Sequence, residues 1–100
     1  MKAHEWLTRE KWVQSRAGDG VTNGCLNTAL AVTNDPNHFL DHTLAFYKQR
    51  EGVVNTIEVL YPERIARIEL RDTVGKLICF NDHYETTYED VLRVLKVADV

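Results

Sequence analysis

The most informative stretch of the sequence is TYEDVLRVLKV, residues 87–97. Thr87 and Asp90 have the spacing of a capping box, with Asp in place of the preferred Glu or Gln. The apolar residues that follow recur at the spacing of one helical face, and they are Tyr88, Val91, Leu92, Leu95 and Ala98. Val97 lies about 180° from Tyr88, on the polar side. We therefore predict an amphipathic helix from Thr87 to about Val97 that packs on the rest of the chain and leaves Val97 exposed.

Further helical patterns fill most of the remaining sequence. Apolar residues at spacings of 3 and 4 predict helices over residues 4–11, 25–33, 37–49, 53–61 and 72–80. Gly52 predicts the end of the third of these, and Pro62 the end of the fourth. Residues 63–70 fit either a helical turn or a strand. The fold class that follows is a mostly α, small multi-helix domain.

The segment between the first two helices has a different character. Asp19 stands between Gly18 and Gly20, a combination typical of a turn, because Gly tolerates positive φ and Asp bonds to the nearby backbone. Two readings of this N-terminal region stay open, a short β-hairpin and an extended excursion.

Length and composition indicate one globular domain spanning residues 1–100. The chain is 44% hydrophobic and 27% charged, with a net charge of −3, which is close to globular averages. No apolar run approaches the ~20 residues of a membrane helix, and the N-terminal residues lack the apolar core of a signal peptide. We expect a cytoplasmic protein in which Cys25 and Cys79 are reduced.

Two groups of residues are candidates for chemistry. His38 and His42 are one helical turn apart and resemble the paired ligands of a metal helix, although the Glu of that motif is missing. Cys25 lies near a predicted helix N-terminus, which would favour a thiolate nucleophile. A small metal- or cysteine-dependent enzyme using Cys25, His38 and His42 is thus one alternative. Solvated histidines and packed cysteines explain the same residues, and no cofactor motif is found.

A second alternative is a nucleic-acid binder. Arg64, Arg67 and Arg71 would share one face if their segment is helical. The net negative charge argues against this alternative, because proteins that bind the phosphate backbone usually carry a basic excess.

A constellation of residues at the two ends of the chain resembles a known family. It comprises Trp12-x-Gln14, Asp19-Gly20, Cys25-Leu26, Ala29-Leu30, Asn81-Asp82 and Thr86-Thr87 before Val91-Leu92. This pattern is similar to a group of short proteins from actinobacteria and their phages that is known only as a domain of unknown function. The resemblance implies a small helical fold and a phage accessory gene, and it implies no catalytic residues.

Together these observations favour a non-enzymatic protein-binding domain. More specifically, the resemblance implies a phage-encoded accessory protein that acts on a host protein. Trp6, Trp12 and Val97 are the candidate contact residues, since aromatic residues often anchor interfaces. An apolar patch formed with Val97 would also allow a homodimer. If the protein is phage-encoded, its location is the host cytoplasm.

Overall fold

The structure, a computed structural model, describes residues 1–34, 44–65 and 72–100. Those residues form a compact arrangement of α-helices with no β-sheet. The helices are α1 (Ala3–Trp6), α2 (Leu26–Asn34), α3 (Leu44–Leu60), α4 (Thr73–Asp82) and α5 (Tyr88–Val97), with a 3₁₀ turn at Pro62–Arg64. The mostly helical fold predicted from the sequence is confirmed. None of the helices in the described ranges is long and apolar enough to cross a membrane.

Helix α5 matches its prediction closely. The hydroxyl of Thr87 accepts a hydrogen bond from the backbone N–H of Asp90 at 3.3 Å, and the Asp90 carboxylate accepts one from the N–H of Thr87 at 3.1 Å. This is a reciprocal capping box, so Asp performs the role usually taken by Glu. Val91, Val94 and Leu95 are fully buried, whereas Val97 is 60% exposed.

Helix α3 differs from its prediction at Gly52, and the predicted helical residues 37–43 lie outside the described residues. The sequence predicted that one helix would end at Gly52 and another begin after it, but α3 runs through Gly52 without a break. No atom of the described residues outside the helix's own backbone lies within 4 Å of the place where a Cβ atom on Gly52 would be. The intrinsic cost of Gly in a helix is only about 1 kcal/mol, and burial of Val53, Val54 and Ile57 on the following turns outweighs it.

The core lies where α3 packs against α2, α4 and α5. Its largest fully buried side chains are Leu7, Leu26, Leu30, Ile57, Leu77, Phe80 and Leu95, with Val53, Val91 and Val94. Helix α1 covers one end of this core and contacts α2 and α5. Helix α4 begins at the cap Asp72, which accepts from the N–H of Gly75 at 2.7 Å, and it extends to Asp82, two residues beyond its predicted end.

The N-terminal region is more irregular than the sequence indicated. Helix α1 ends at Trp6, although the sequence predicted a helix over residues 4–11. The open choice between a hairpin and an extended excursion resolves to a loop. Its two arms meet in one isolated parallel bridge, between Trp12 and Gly24. A hairpin would need antiparallel arms, so this loop must be held in place by other contacts.

Asn81, in the last turn of α4, supplies those contacts. Its side chain is completely buried, and its Oδ1 accepts from the indole N–H of Trp12 at 2.8 Å and from the backbone N–H of Leu26 at 3.0 Å. Its Nδ2 donates to the carbonyl of Val13 at 3.0 Å and to the Asp82 carboxylate at 2.9 Å. One amide therefore connects the loop, the start of α2 and the end of α4, and every polar atom of its side chain is paired.

Candidate protein-docking surface

A tight turn at Asp19 holds one apolar side chain out into solvent. Oδ1 of Asp19 accepts from the backbone N–H groups of Val21, Thr22 and Asn23 at 2.8, 2.7 and 3.0 Å. The Thr22 hydroxyl donates to Oδ2, and this bond, followed by the three backbone bonds, lowers the pKa of Asp19 well below its ordinary value. Val21, at the outer edge of the turn, is 74% exposed.

The flanking glycines are required by this turn. Gly18 and Gly20 have φ of +85° and +74°, a region that residues with a Cβ rarely adopt. A Cβ on Gly18 would also come within 2.7 Å of the backbone oxygen of Asn23. The backbone around Val21 is thus fixed from both sides, by geometry and by the Asp19 hydrogen bonds.

Trp6 lies next to this turn, at the end of α1. Its ring approaches the backbone of Gly24 closely, because a Cβ there would lie 3.2 Å from Cη2 of Trp6. The ammonium of Lys11 lies 4.5 Å from the centroid of the Trp6 ring, within the range of a cation–π interaction. The indole is half-buried and remains accessible along one side.

The accessible side of Trp6 forms one wall of an apolar cleft of about 170 Å³. The other lining residues are Met1, Gly20, Val32 and Thr33. Val21 follows Gly20 directly in the chain and is exposed. We call this site the Trp6 cleft: the lining residues Met1, Trp6, Gly20, Val32 and Thr33. Clefts with apolar walls and an aromatic side chain are typical of places where a partner inserts an anchor.

The first sixteen residues, which include Met1 and Trp6 of the cleft, carry more basic than acidic side chains. Residues 1–16 contain four basic and two acidic side chains, a formal charge of +2, so residues 17–100 carry −5. Lys2 and Arg9 are committed to ion pairs with Asp99 and Glu89. Lys11 forms no ion pair within the described part of the chain, and its ammonium lies over the ring of Trp6, which lines the cleft.

The other two predicted contact residues occupy different places. Trp12 is half-buried, donates to Asn81, and lies 6.4 Å from the ring of Tyr88, measured between centroids. Its polar atom is therefore used inside the scaffold. Val97 is exposed, as predicted, but it lies on α5, and the structure does not bring it into the Trp6 cleft.

Arg64, one of the three arginines proposed for nucleic-acid binding, is engaged within the protein. Its guanidinium donates to the Asp90 carboxylate at 2.6 Å and to the Thr86 hydroxyl at 3.2 Å, and it lies over the ring of Tyr61. Only 13% of its side chain is exposed. Arg64 thus has little surface left for a phosphate group. Arg67 and Arg71 lie outside the described residues.

Of the residues proposed for an enzyme, Cys25 lies within the described ranges and His38 and His42 do not. Cys25 precedes α2, as the sequence indicated, and is buried, with Sγ 3.4 Å from the Thr28 hydroxyl. Cys25 and Cys79 are both free thiols. His38 and His42 lie outside the described residues. In the remainder of the chain, no three His, Cys, Asp or Glu side chains are placed to hold a metal ion.

Sequence reasoning missed Lys11 and Val21 as surface residues of interest. A signal for Val21 was present, since the Asp19-Gly20 turn was recognised and an Asx turn exposes the residues it carries. The position of Lys11 depends on the early end of α1, which follows from contacts with distant parts of the chain. In an uninterrupted helix over residues 4–11, Lys11 and Trp6 would lie on different faces, because only residues three or four positions apart are neighbours on a helix surface.

Comparison with known proteins gives one match. No curated protein and no solved structure matches the chain. A model for a family of unknown function, DUF6197, matches residues 1–99, which is nearly the whole chain. The protein therefore belongs to the DUF6197 family.

Proposed function

We propose that this protein is a non-enzymatic protein-binding domain that docks its partner on the Trp6 cleft. The observation that carries the proposal is an apolar cleft lined by the half-buried Trp6 and by Gly20, which belongs to a rigid turn that also carries the exposed Val21. Tryptophan is among the residues that most often contribute large binding energies at protein interfaces.

Rigidity matters here because ordering a loop on binding costs free energy. The Asp19 turn is already fixed by four hydrogen bonds to one carboxylate, so Val21 would lose little conformational freedom when a partner docks. An exposed valine on a mobile loop would offer much less. The turn therefore suits a preorganised contact surface.

The lining of the Trp6 cleft favours docking over catalysis. The side chains of its described lining residues, Met1, Trp6, Gly20, Val32 and Thr33, include no carboxylate, imidazole, amine or thiol. General acid–base or nucleophilic chemistry needs such a group within hydrogen-bond reach of the substrate. The resemblance to proteins of actinobacteria and their phages makes a cytoplasmic host protein the class of partner that we propose.

Site-specific photocrosslinking in cells that encode this chain tests the proposal. A photoreactive amino acid replaces Val21 in one version of the protein and Val59 in another. Val59 is a matched control, because it is also an exposed valine, at 78%, but lies on α3. We expect one predominant protein adduct from position 21 that is absent from position 59.

A blocking variant makes the test specific for the cleft. Thr33→Lys, combined with the reporter at position 21, should abolish the adduct while the melting temperature stays close to that of the parent protein. Identical adducts from positions 21 and 59, or an adduct unaffected by Thr33→Lys, would contradict the proposal. An adduct between two copies of this chain would contradict it as well, in favour of a homodimer.

A further inference from the structure

We infer, resting on the proposed docking function, that the segment bound at the Trp6 cleft is acidic and inserts a single apolar side chain about as large as a benzene ring. Two independent features support this: the size of the cleft and the positive charge of Lys11 over the Trp6 ring. Each part of the inference can fail separately in the experiment below.

The size of the inserted group follows from the cleft volume. The cleft holds about 170 Å³, and an apolar cavity of about 150 Å³ is large enough to bind benzene. A Phe or Leu side chain therefore fits, whereas two large side chains do not. The walls that it would meet are the indole of Trp6 and the side chains of Met1 and Val32, which offer apolar contact and few polar groups.

The charge of the partner follows from Lys11. Its ammonium lies 4.5 Å from the centroid of the Trp6 ring, and that ring is one wall of the cleft that would receive the inserted side chain. A carboxylate beside that inserted side chain would meet a cation that forms no ion pair among the described residues. A basic partner would instead place like charges together as water is excluded, which opposes binding.

The acidic side chains near Lys11 in the sequence do not form an ion pair with it. Asp19 directs its carboxylate into its own turn, and Glu5 accepts from the backbone N–H of Lys2 at 2.9 Å, a bond that lowers the pKa of Glu5. Glu10 is exposed beside Lys11 and is the one acidic side chain of this segment without such a commitment. Asp99 and Glu89 pair with Lys2 and Arg9, so the positive charge that a partner would meet beside Trp6 is that of Lys11.

Binding of short capped peptides to the full chain tests this inference, followed by NMR shifts of the Trp6 indole N–H and the Val21 amide. The first peptide has a central Phe with two Glu residues on each side. The second keeps Phe and replaces each Glu with Lys, and the third keeps Glu and replaces Phe with Ser. We expect saturable shifts with the first peptide and none with the other two.

Two variants connect the effect to Lys11. Lys11→Gln should weaken binding of the Glu-Phe-Glu peptide about 2- to 5-fold, the range of an exposed ion pair. Lys96→Gln, an exposed lysine on α5, is the matched control and should leave the affinity unchanged. Higher ionic strength should weaken the parent protein's binding and have less effect on Lys11→Gln.

The outcomes separate this inference from the function on which it rests. Equal binding of the Glu-flanked and Lys-flanked peptides overturns the acidic partner while leaving the cleft as a docking site. Binding of the Ser peptide as tight as that of the Phe peptide overturns the inserted apolar group. The absence of all shifts overturns the inference, and the crosslinking at position 21 then decides separately whether the protein docks partners there at all.

Discussion

The indole N–H of Trp12 donates to Oδ1 of Asn81 at 2.8 Å and so joins the N-terminal loop to the last turn of α4. Other residues of the sequence pattern that resembles the family lie around this bond. Gln14 donates to backbone carbonyls between Asn81 and Thr86, and the N–H of Leu26 shares the Asn81 oxygen. The constellation therefore marks the scaffold that positions the loop, and the Trp6 cleft is built on that scaffold.

The first prediction concerns Asn81. Asn81→Leu keeps the size of the side chain but leaves the Trp12 indole N–H, the Leu26 N–H and the Val13 carbonyl without their partner. A fully buried group that loses its hydrogen bond costs about 1–3 kcal/mol, and a partly buried one costs less. The bond to the Leu26 N–H is buried and the other two are partly buried, so the free energy of unfolding should fall by about 2–4 kcal/mol. Urea unfolding followed by tryptophan fluorescence measures the loss.

Asn55 provides the control for that measurement. It is an exposed asparagine in α3, and Asn55→Ala should change the free energy of unfolding by less than about 0.5 kcal/mol. A loss of less than 1 kcal/mol in Asn81→Leu would show that Asn81 does not hold the loop and the two helices together.

The sequence predicted the elements that local chemistry determines. The capping pair Thr87 and Asp90 and the apolar spacing after it lie within one short segment, so α5 was predicted to within a residue of its observed start. The Asp19 turn was recognisable for the same reason, because Asp and its flanking glycines act on the adjacent backbone.

The parts that the sequence did not predict depend on distant contacts. Asn81 looked like a residue that ends a helix locally, but its partners lie 55 to 69 residues away. Gly52 looked like a helix end because Gly is common just past a helix. The packing of α3 against three other helices, which keeps the helix continuous, is not visible in the local sequence. The Trp6 cleft joins α1, the Asp19 turn and the end of α2, so no single stretch of sequence describes it.

The second prediction concerns Asp90 and pH. Partial burial alone would raise the pKa of Asp90, but hydrogen bonds from Arg64, the Thr87 N–H and Tyr61 outweigh it and lower the pKa. The folded state therefore binds a proton less readily than the unfolded state. The stabilisation is present above the unfolded pKa of about 3.9 and is lost as the pH falls through the lower folded value.

Asp90→Asn tests this dependence. At pH 7 the variant should lose about 2 kcal/mol of unfolding free energy, the range of a hydrogen bond to a charged group. The difference from the parent protein should shrink as the pH falls below about 4. Asp99→Asn, which removes only the exposed pair with Lys2, should leave stability unchanged at pH 7. A difference for Asp90→Asn that is constant from pH 7 to the acid transition would contradict the assignment.

The third prediction concerns the Asp19 turn. Asp19→Ala removes the acceptor for three backbone N–H groups, so the amides of Val21, Thr22 and Asn23 should exchange with deuterium faster, while the amides of α5 remain protected. Asp19→Asn keeps an oxygen at the same position and should show an intermediate rate. Equal exchange in all three proteins would mean that the carboxylate does not fix the loop, and it would remove the preorganisation on which the docking proposal relies.

The last prediction uses Gly52, where the sequence-based expectation was wrong. Because α3 continues through Gly52 and no atom of the described residues outside the helix's own backbone lies within 4 Å of a Cβ there, Gly52→Ala gains helix propensity without a steric cost from them. The gain should be about 1 kcal/mol, which for a domain of this size raises the melting temperature by about 4–8 °C. Gly18→Ala is the opposite case, since its positive φ and the contact with the Asn23 backbone should make it destabilising. A lower melting temperature for Gly52→Ala would mean that position 52 requires glycine, as the residue after a helix end often does. A continuous α3 would then be incorrect.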